Sequence, residues 1–356
     1  MTEKEALEKA SPTLRMKMHK SLKLLHKAAS LALQYDSTDG YYLAFSGGKD
    51  SQALYHIALL SGERFKAHMN LTSIDPPEVI RFVKNQYPEV HLIKPKESIY
   101  KIAEKLGILP TMRKRWCCQE YKEMAGAGKV TLIGIRHAES FRRSKRNEVE
   151  ILNHKFSGSF EELEEYRETQ RVKRALRKSR KTEGVNIINA SEELSVGCIH
   201  GKESIIISPI IDWTEQDVWE FLNKVVETSH CILYDQGFKR IGCIGCPMSS
   251  FKHKQYENIR WPHVKRNWIK AIMRIRANGG LRKHTYIGPK KNGSDNLSTN
   301  HARTEGNVFE LTQQPPDIDE TDFEIATNIY DWWISGKSYE KWYAYTFLQT
   351  KLHFSD

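Results

Sequence analysis

The sequence has no apolar run approaching the roughly 18 residues of a membrane-crossing helix. Its opening stretch, MTEKEALEKASPTLRMKMHK, lacks the apolar core of a signal peptide. With 21 Gly and 12 Pro in 356 residues it is far from collagen-like or low-complexity chains, and 39% hydrophobic residues separate it from disordered ones. Six cysteines are too few for a secreted disulfide scaffold. The expectation is a soluble, cytoplasmic protein with no membrane partner. The length allows a large core with an appendage or second domain. What the chain does have is positive charge: 55 Lys and Arg against 44 Asp and Glu leave +11, with a pI near 9.2. That surplus points towards a polyanion, nucleic acid or nucleotide.

Residues 1–38 place Leu14, Met18, Leu22 and Leu25 at helical spacing and read as N-terminal helices. From residue 39 strands and helices alternate. Tyr41–Phe45, Ala67–Leu71, Val90–Ile93, Val130–Ile135 and Ile205–Ile210 read as strands, with helical patterns between them. This predicts an α/β fold with a doubly wound, mostly parallel sheet over residues 39–256. The stretch 155–200 interrupts the rhythm as a polar insertion, and its RVKRALRKSRK segment (Arg171–Lys181) carries seven basic residues. Thr214, with Asp217 at the third helical position, predicts a capped helix start. Residues 257–356 bring Trp261, Trp268, Trp332, Trp333 and Trp342 among basic residues. They read as a mainly helical C-terminal domain whose aromatics either form its core or stack on nucleic acid.

Ser46-Gly47-Gly48-Lys49-Asp50-Ser51 falls between a predicted strand and a predicted helix. Glycines there let backbone N–H groups turn towards a phosphate, and the helix adds the positive end of its dipole. Lys49 supplies a point charge and the two serines supply hydroxyls. Asp50 would repel phosphate unless Mg²⁺ stood between them, which makes it the candidate metal-facing residue. The loop is not the G-x-x-x-x-G-K-[ST] pattern of P-loop NTPases. SGGKDS resembles the pyrophosphate loop of the N-type ATP pyrophosphatases, with their adenine nucleotide alpha hydrolase-like fold. The resemblance implies ATP as cofactor, gripped by its β,γ-pyrophosphate while an acceptor oxygen attacks the α-phosphorus.

Cys117 and Cys118 are adjacent, and Cys243 and Cys246 form a C-x-x-C. Adjacent thiolates reach two irons of a cluster more easily than they chelate one small ion, so the set favours a [4Fe–4S] cluster over Zn²⁺. KRWCCQEYK, GIRHAES, SPIIDWTEQDVWEFL and YDQGFKRIGCIGCP resemble, in the same order, segments of the phosphoadenylyl-sulfate (PAPS) reductase-like family. That resemblance implies Cys117, Cys118, Cys243 and Cys246 as cluster ligands. It also implies Arg136, following Gly134, as a catalytic, phosphate-facing residue beside Lys49 and Asp50.

The sulfonucleotide reductases of that family attack sulfur with a cysteine near the C-terminus. Here no cysteine follows Cys246, and no other group in WYAYTFLQTKLHFSD replaces a thiolate nucleophile. The chain resembles the reductase-like proteins of bacterial DNA phosphorothioation. That implies adenylylation of a DNA backbone oxygen followed by sulfur transfer, with tRNA as a variant acceptor. Sulfur would arrive as a persulfide on a cysteine desulfurase partner, or on Cys198 or Cys231. A sulfonucleotide reductase and a non-catalytic nucleic-acid-binding regulator are the alternatives.

Overall fold

The computed structural model describes residues 1–123, 126–151, 156–179, 205–278, 281 and 322–336. From the N-terminus the chain forms α1 (Glu3–Lys9), α2 (Pro12–Tyr35), β1 (Tyr41–Ala44), α3 (Lys49–Ser61), β2 (Phe65–Asn70), α4 (Pro77–Gln86) and β3 (His91–Ile93). Next come α5 (Ile99–Leu106), α6 (Trp116–Cys118), β4 (Val130–Leu132), β5 (Val149–Ile151), β6 (Phe156–Gly158) and α7 (Phe160–Ser179). They are followed by β7 (Ile205–Ile207), α8 (Glu215–Glu220), α9 (Phe251–Arg260), α10 (Pro262–Ala277) and α11 (Asp322–Ser335). Two compact units result. The first takes Met1–Leu71, Asp75–Lys94 and Tyr121–Gly242; the second takes Thr72–Ile74, Pro95–Glu120 and Cys243–Asp356. No helix among the described residues is long and apolar enough to cross a membrane.

The first unit is built on a sheet of order β3-β2-β1-β4-β7-β5-β6. β3, β2, β1, β4 and β7 run parallel, as the alternation of strands and helices predicts. β5 and β6 pair antiparallel at the far edge, with β5 beside β7. This pair was not expected, because three-residue strands carry too little pattern to stand out. The chain winds from β1 out to β3 and returns on the other side of β1 to β4. The loops after β1 and β4 therefore meet at the point where winding reverses, where doubly wound sheets bind ligands. Leu14, Met18, Leu22 and Leu25 on α2 are at most 1% exposed, in keeping with their helical spacing. Each such burial contributes about 1.5–3 kcal/mol. Thr214 and Asp217 cap α8 reciprocally, with Asp217 Oδ2 accepting from the Thr214 N–H at 2.6 Å.

The second unit packs α10 against α5 and α11. Trp261, Trp268 and Tyr330 are buried, Trp268 lies edge-on to Tyr100 at 5.0 Å, and Trp333 Nε1 donates to Pro110 O at 2.7 Å. Of the two readings of the aromatic tail, these residues follow core packing. Trp342 lies outside the described residues, as does the part of Arg171–Lys181 beyond the end of α7.

Candidate active site

The strand β1 ends at Ala44, and a short turn leads into α3 at Lys49. Gly47 has φ +71°, and a Cβ there would lie 2.7 Å from Val79 Cγ1 and 2.8 Å from Val83 Cγ2 on α4. The position needs glycine for both backbone angle and space. Ser51 closes the turn. Its hydroxyl donates to Gly48 O at 2.8 Å and accepts from the Ser46 N–H at 3.2 Å and from Ser46 Oγ at 3.1 Å. Lys49 is only 4% exposed, with Nζ donating to Lys239 O at 3.0 Å and lying 3.6 Å from Glu215 Oε1. Its backbone N–H donates to the Tyr234 hydroxyl at 2.8 Å. Burial pushes the Tyr234 phenol upward, so it stays a neutral hydroxyl.

The chain leaving β4 crosses the first turn of α3. A Cβ on Gly134 would lie 2.7 Å from Asp50 O and 3.3 Å from Ser51 N, so only glycine permits this approach. Arg136 follows and is buried; Nε donates to Asp50 Oδ1 at 2.7 Å and Nη1 to Trp213 O at 3.3 Å. Asp50, expected to face Mg²⁺, thus has Arg136 on one of its carboxylate oxygens. Burial raises its carboxyl above the usual range, against the pull of Arg136 and Lys49.

Behind this pair lies a second tier. Glu139 Oε1 accepts from the Arg136 N–H at 3.0 Å, while Oε2 pairs with Arg143 and, at 3.4 Å, with Arg240 Nη2. Burial and the neighbouring Arg240 charge lower the Arg143 guanidinium. Sequence reasoning passed over Tyr234, Glu139, Arg143 and Arg240. Glu139 stood inside GIRHAES three residues after Arg136, at capping-box spacing, whereas Tyr234 and Arg240 carry no local signal. The arrangement is a helix N-terminus with two buried cations beside it, each held by a neighbouring carboxylate or carbonyl.

In the second unit Cys117 and Cys118 lie on α6, and Cys243 and Cys246 in the turn before α9; all four are half-buried and none is in a disulfide. The turn is well anchored. The Cys246 N–H donates to Cys243 O at 3.3 Å, the Ile244 N–H to Ile74 O at 2.8 Å, and the Gly245 N–H to buried Glu257 at 2.9 Å. A hydrogen bond with Cys118, burial, and the fields of Cys118, Cys243 and Cys246 hold the Cys117 thiol well above its usual value. Folding has brought the two pairs within each other's field. That donor set fits a thiolate-bound cluster in its chemistry. Among the described residues, however, no three His, Cys, Asp or Glu side chains are gathered as a metal-holding group, so the expected four-ligand geometry is not assembled. Cys231 is buried in the first unit, and Cys198 lies outside the described residues.

A sequence model of the phosphoadenosine phosphosulfate reductase domain matches residues 40–249, well over half of the chain. The chain belongs to that family. The PAPS reductase match encloses SGGKDS, Gly134, Arg136 and all four paired cysteines. An uncharacterized protein of Methanocaldococcus jannaschii is 26% identical over 285 residues, 75% of this chain and 57% of the relative. An adenosine 5'-phosphosulfate reductase of Bacillus pumilus is 30% identical over 83 residues, 23% of this chain and 32% of that enzyme. The chain therefore spans little more than half of the first relative and a third of the second. Among solved structures, Candida glabrata FMN adenylyltransferase with FAD and inorganic pyrophosphate is 12% identical, with a TM-score of 0.40 and 68% of each chain covered. The Candida auris PAPS reductase phosphate complex is 16% identical, with a TM-score of 0.37, covering 63% of this chain and 88% of that one.

Proposed function

We propose that this PAPS reductase-family protein is an ATP pyrophosphatase that adenylylates a nucleic-acid backbone, DNA first and tRNA as the variant, in preparation for sulfur transfer. The observation that carries the reading is the intact SGGKDS loop at the sheet's switch point, with Lys49 and Arg136 buried beside it. The α3 N-terminus and Lys49 suit the β,γ-pyrophosphate. Arg136 suits the charge that grows as an acceptor oxygen bonds to the α-phosphorus and the bond to pyrophosphate breaks. The carboxylate of Asp50 would hold Mg²⁺, which shields the phosphates when bound. A sulfur nucleophile then displaces AMP, a far better leaving group than a bare phosphoryl oxygen. Its source is the outer sulfur of a persulfide carried by a cysteine desulfurase partner or by Cys198 or Cys231; the P–S–S bond this forms is then cleaved by a second thiol, which leaves the phosphorothioate and is itself oxidised to a disulfide. Cys117, Cys118, Cys243 and Cys246 would hold a [4Fe–4S] cluster, with Zn²⁺ the less favoured occupant; when bound, it cross-links the two cysteine segments.

The name of the Bacillus pumilus relative favours a second reading, reduction of adenylyl sulfate. Pyrophosphate release from ATP by anaerobically purified protein, with and without duplex DNA or tRNA, separates the two. Nucleic-acid-stimulated release, lowered about 100-fold or more by Lys49→Ala, is the expected result. Sulfite release from adenylyl sulfate with no pyrophosphate from ATP would establish the reductase instead.

A further inference from the structure

The residues that follow Glu139 form a turn that the reading above does not use. Ser140 organises it, accepting the Arg143 and Ser144 N–H groups on its carbonyl, both at 2.9 Å, while Ser144 Oγ donates to Phe141 O at 2.9 Å. The Arg146 N–H donates to Arg143 O at 3.0 Å. These bonds close the backbone of the turn on itself. At its tip Phe141 is 77% exposed, with Lys145 Nζ over its ring at 4.4 Å. An isolated exposed phenylalanine calls for no explanation, but this one stands among Arg142, Arg143, Lys145 and Arg146. Two of those charges are spent internally, Arg143 on Glu139 and Arg146 on Glu150. Arg142 and Lys145 have no carboxylate partner among the described residues. The turn is also tied to the nucleotide loop through Arg143 to Glu139, Glu139 to Arg136, and Arg136 to Asp50.

We propose that the Ser140–Arg146 turn is the nucleic-acid contact of this site, with Phe141 stacking on an unpaired base and Arg142 and Lys145 lying against the flanking phosphates. An exposed ring with unspent cations beside it matches the two chemical faces of a single strand, apolar base and anionic backbone. The turn thereby brings an unpaired backbone segment up to the side of the site lined by Arg136 and Arg143. The inference rests on the adenylylation reading for its purpose, but the binding it describes can be tested alone.

The test is fluorescence anisotropy of the full chain with a labelled single-stranded DNA and with its duplex. Phe141→Ala should weaken single-strand binding about five- to a hundredfold, the range of one lost base stack, and weaken duplex binding less. Phe141→Trp should retain affinity, which separates loss of the ring from loss of the fold. Arg142→Gln and Lys145→Gln should each reduce the slope of log affinity against log salt by about 0.7, the value for one phosphate of a single strand. Unchanged single-strand affinity in Phe141→Ala, or an equal loss for duplex, overturns the proposal. Pyrophosphate release by the wild type is measured alongside. If release is absent while binding depends on Phe141, the adenylylation reading falls and the contact stands; if release occurs while binding ignores Phe141, the reverse holds.

Discussion

At the nucleotide loop, Lys49 and Arg136 are nearly excluded from solvent and already held by the protein's own groups, Lys239 O and Tyr234 on one side, Asp50 and Trp213 O on the other. In the second unit the paired cysteines are half-buried, and the strongest influences on Cys117 are its hydrogen bond with Cys118 and burial, ahead of the fields of the other thiols. The first region holds its cations in fixed places through the protein's own groups. The second gathers like groups that resist ionising together. The contrast is between cations already held by the protein's own groups and thiols gathered beside one another.

The largest effect that tests this contrast is Cys243→Ser. Anaerobically purified protein should lose its brown chromophore completely while ATP binding to the first unit persists. An unchanged absorption spectrum would remove Cys243 from the ligand set. Next comes Arg136→Met, which leaves Asp50 buried without its cation and should lower unfolding free energy by about 3–5 kcal/mol. Adding Asp50→Asn should recover much of that loss, because it removes the orphaned charge; denaturant melts of single and double variants measure it. If the double variant stays as unstable as the single, the Arg136–Asp50 pair is not what holds the loop. The smallest effect concerns acid. His56 is held near 4, from an ordinary 6.5, by burial, and its Nε2 lies 3.1 Å from the Tyr87 hydroxyl. Its neutral form supports the fold fully above about pH 6.5, and that support is lost as pH falls towards 4, where the unfolded chain takes the proton first. His56→Gln should flatten melting temperature against pH across that window, and an unaltered slope would assign the acid sensitivity to other groups.

Much of the first unit was legible in the sequence because its signals are local. Alternating strands and helices, Leu14 to Leu25 at helical spacing, and SGGKDS at a strand–helix junction each need only a few neighbouring residues to be read. The β5–β6 pair was not legible, since its three-residue strands form by pairing with each other and, through β5, with β7 rather than from their own pattern. The charge tier was not legible either. Glu139 and Arg240 are far apart in sequence and meet because the chain after β4 and the loop before Cys243 belong to one unit. The aromatic tail had two readings, and burial of Trp261, Trp268 and Tyr330 chose the core for those three.

By itself the sequence determined the fold class, the nucleotide loop and the two cysteine pairs, because hydrophobic period, glycine placement and motif spacing act over short range. Only the tertiary structure decided which charges are spent on each other and which are left for a ligand. It set Asp50 against Arg136 and Arg143 against Glu139, and it kept Arg142 and Lys145 apart from any carboxylate among the described residues. The physical reason is that a charge is neutralised by whatever stands within a few ångströms of it, and that distance is set by how the sheet winds and not by position along the chain.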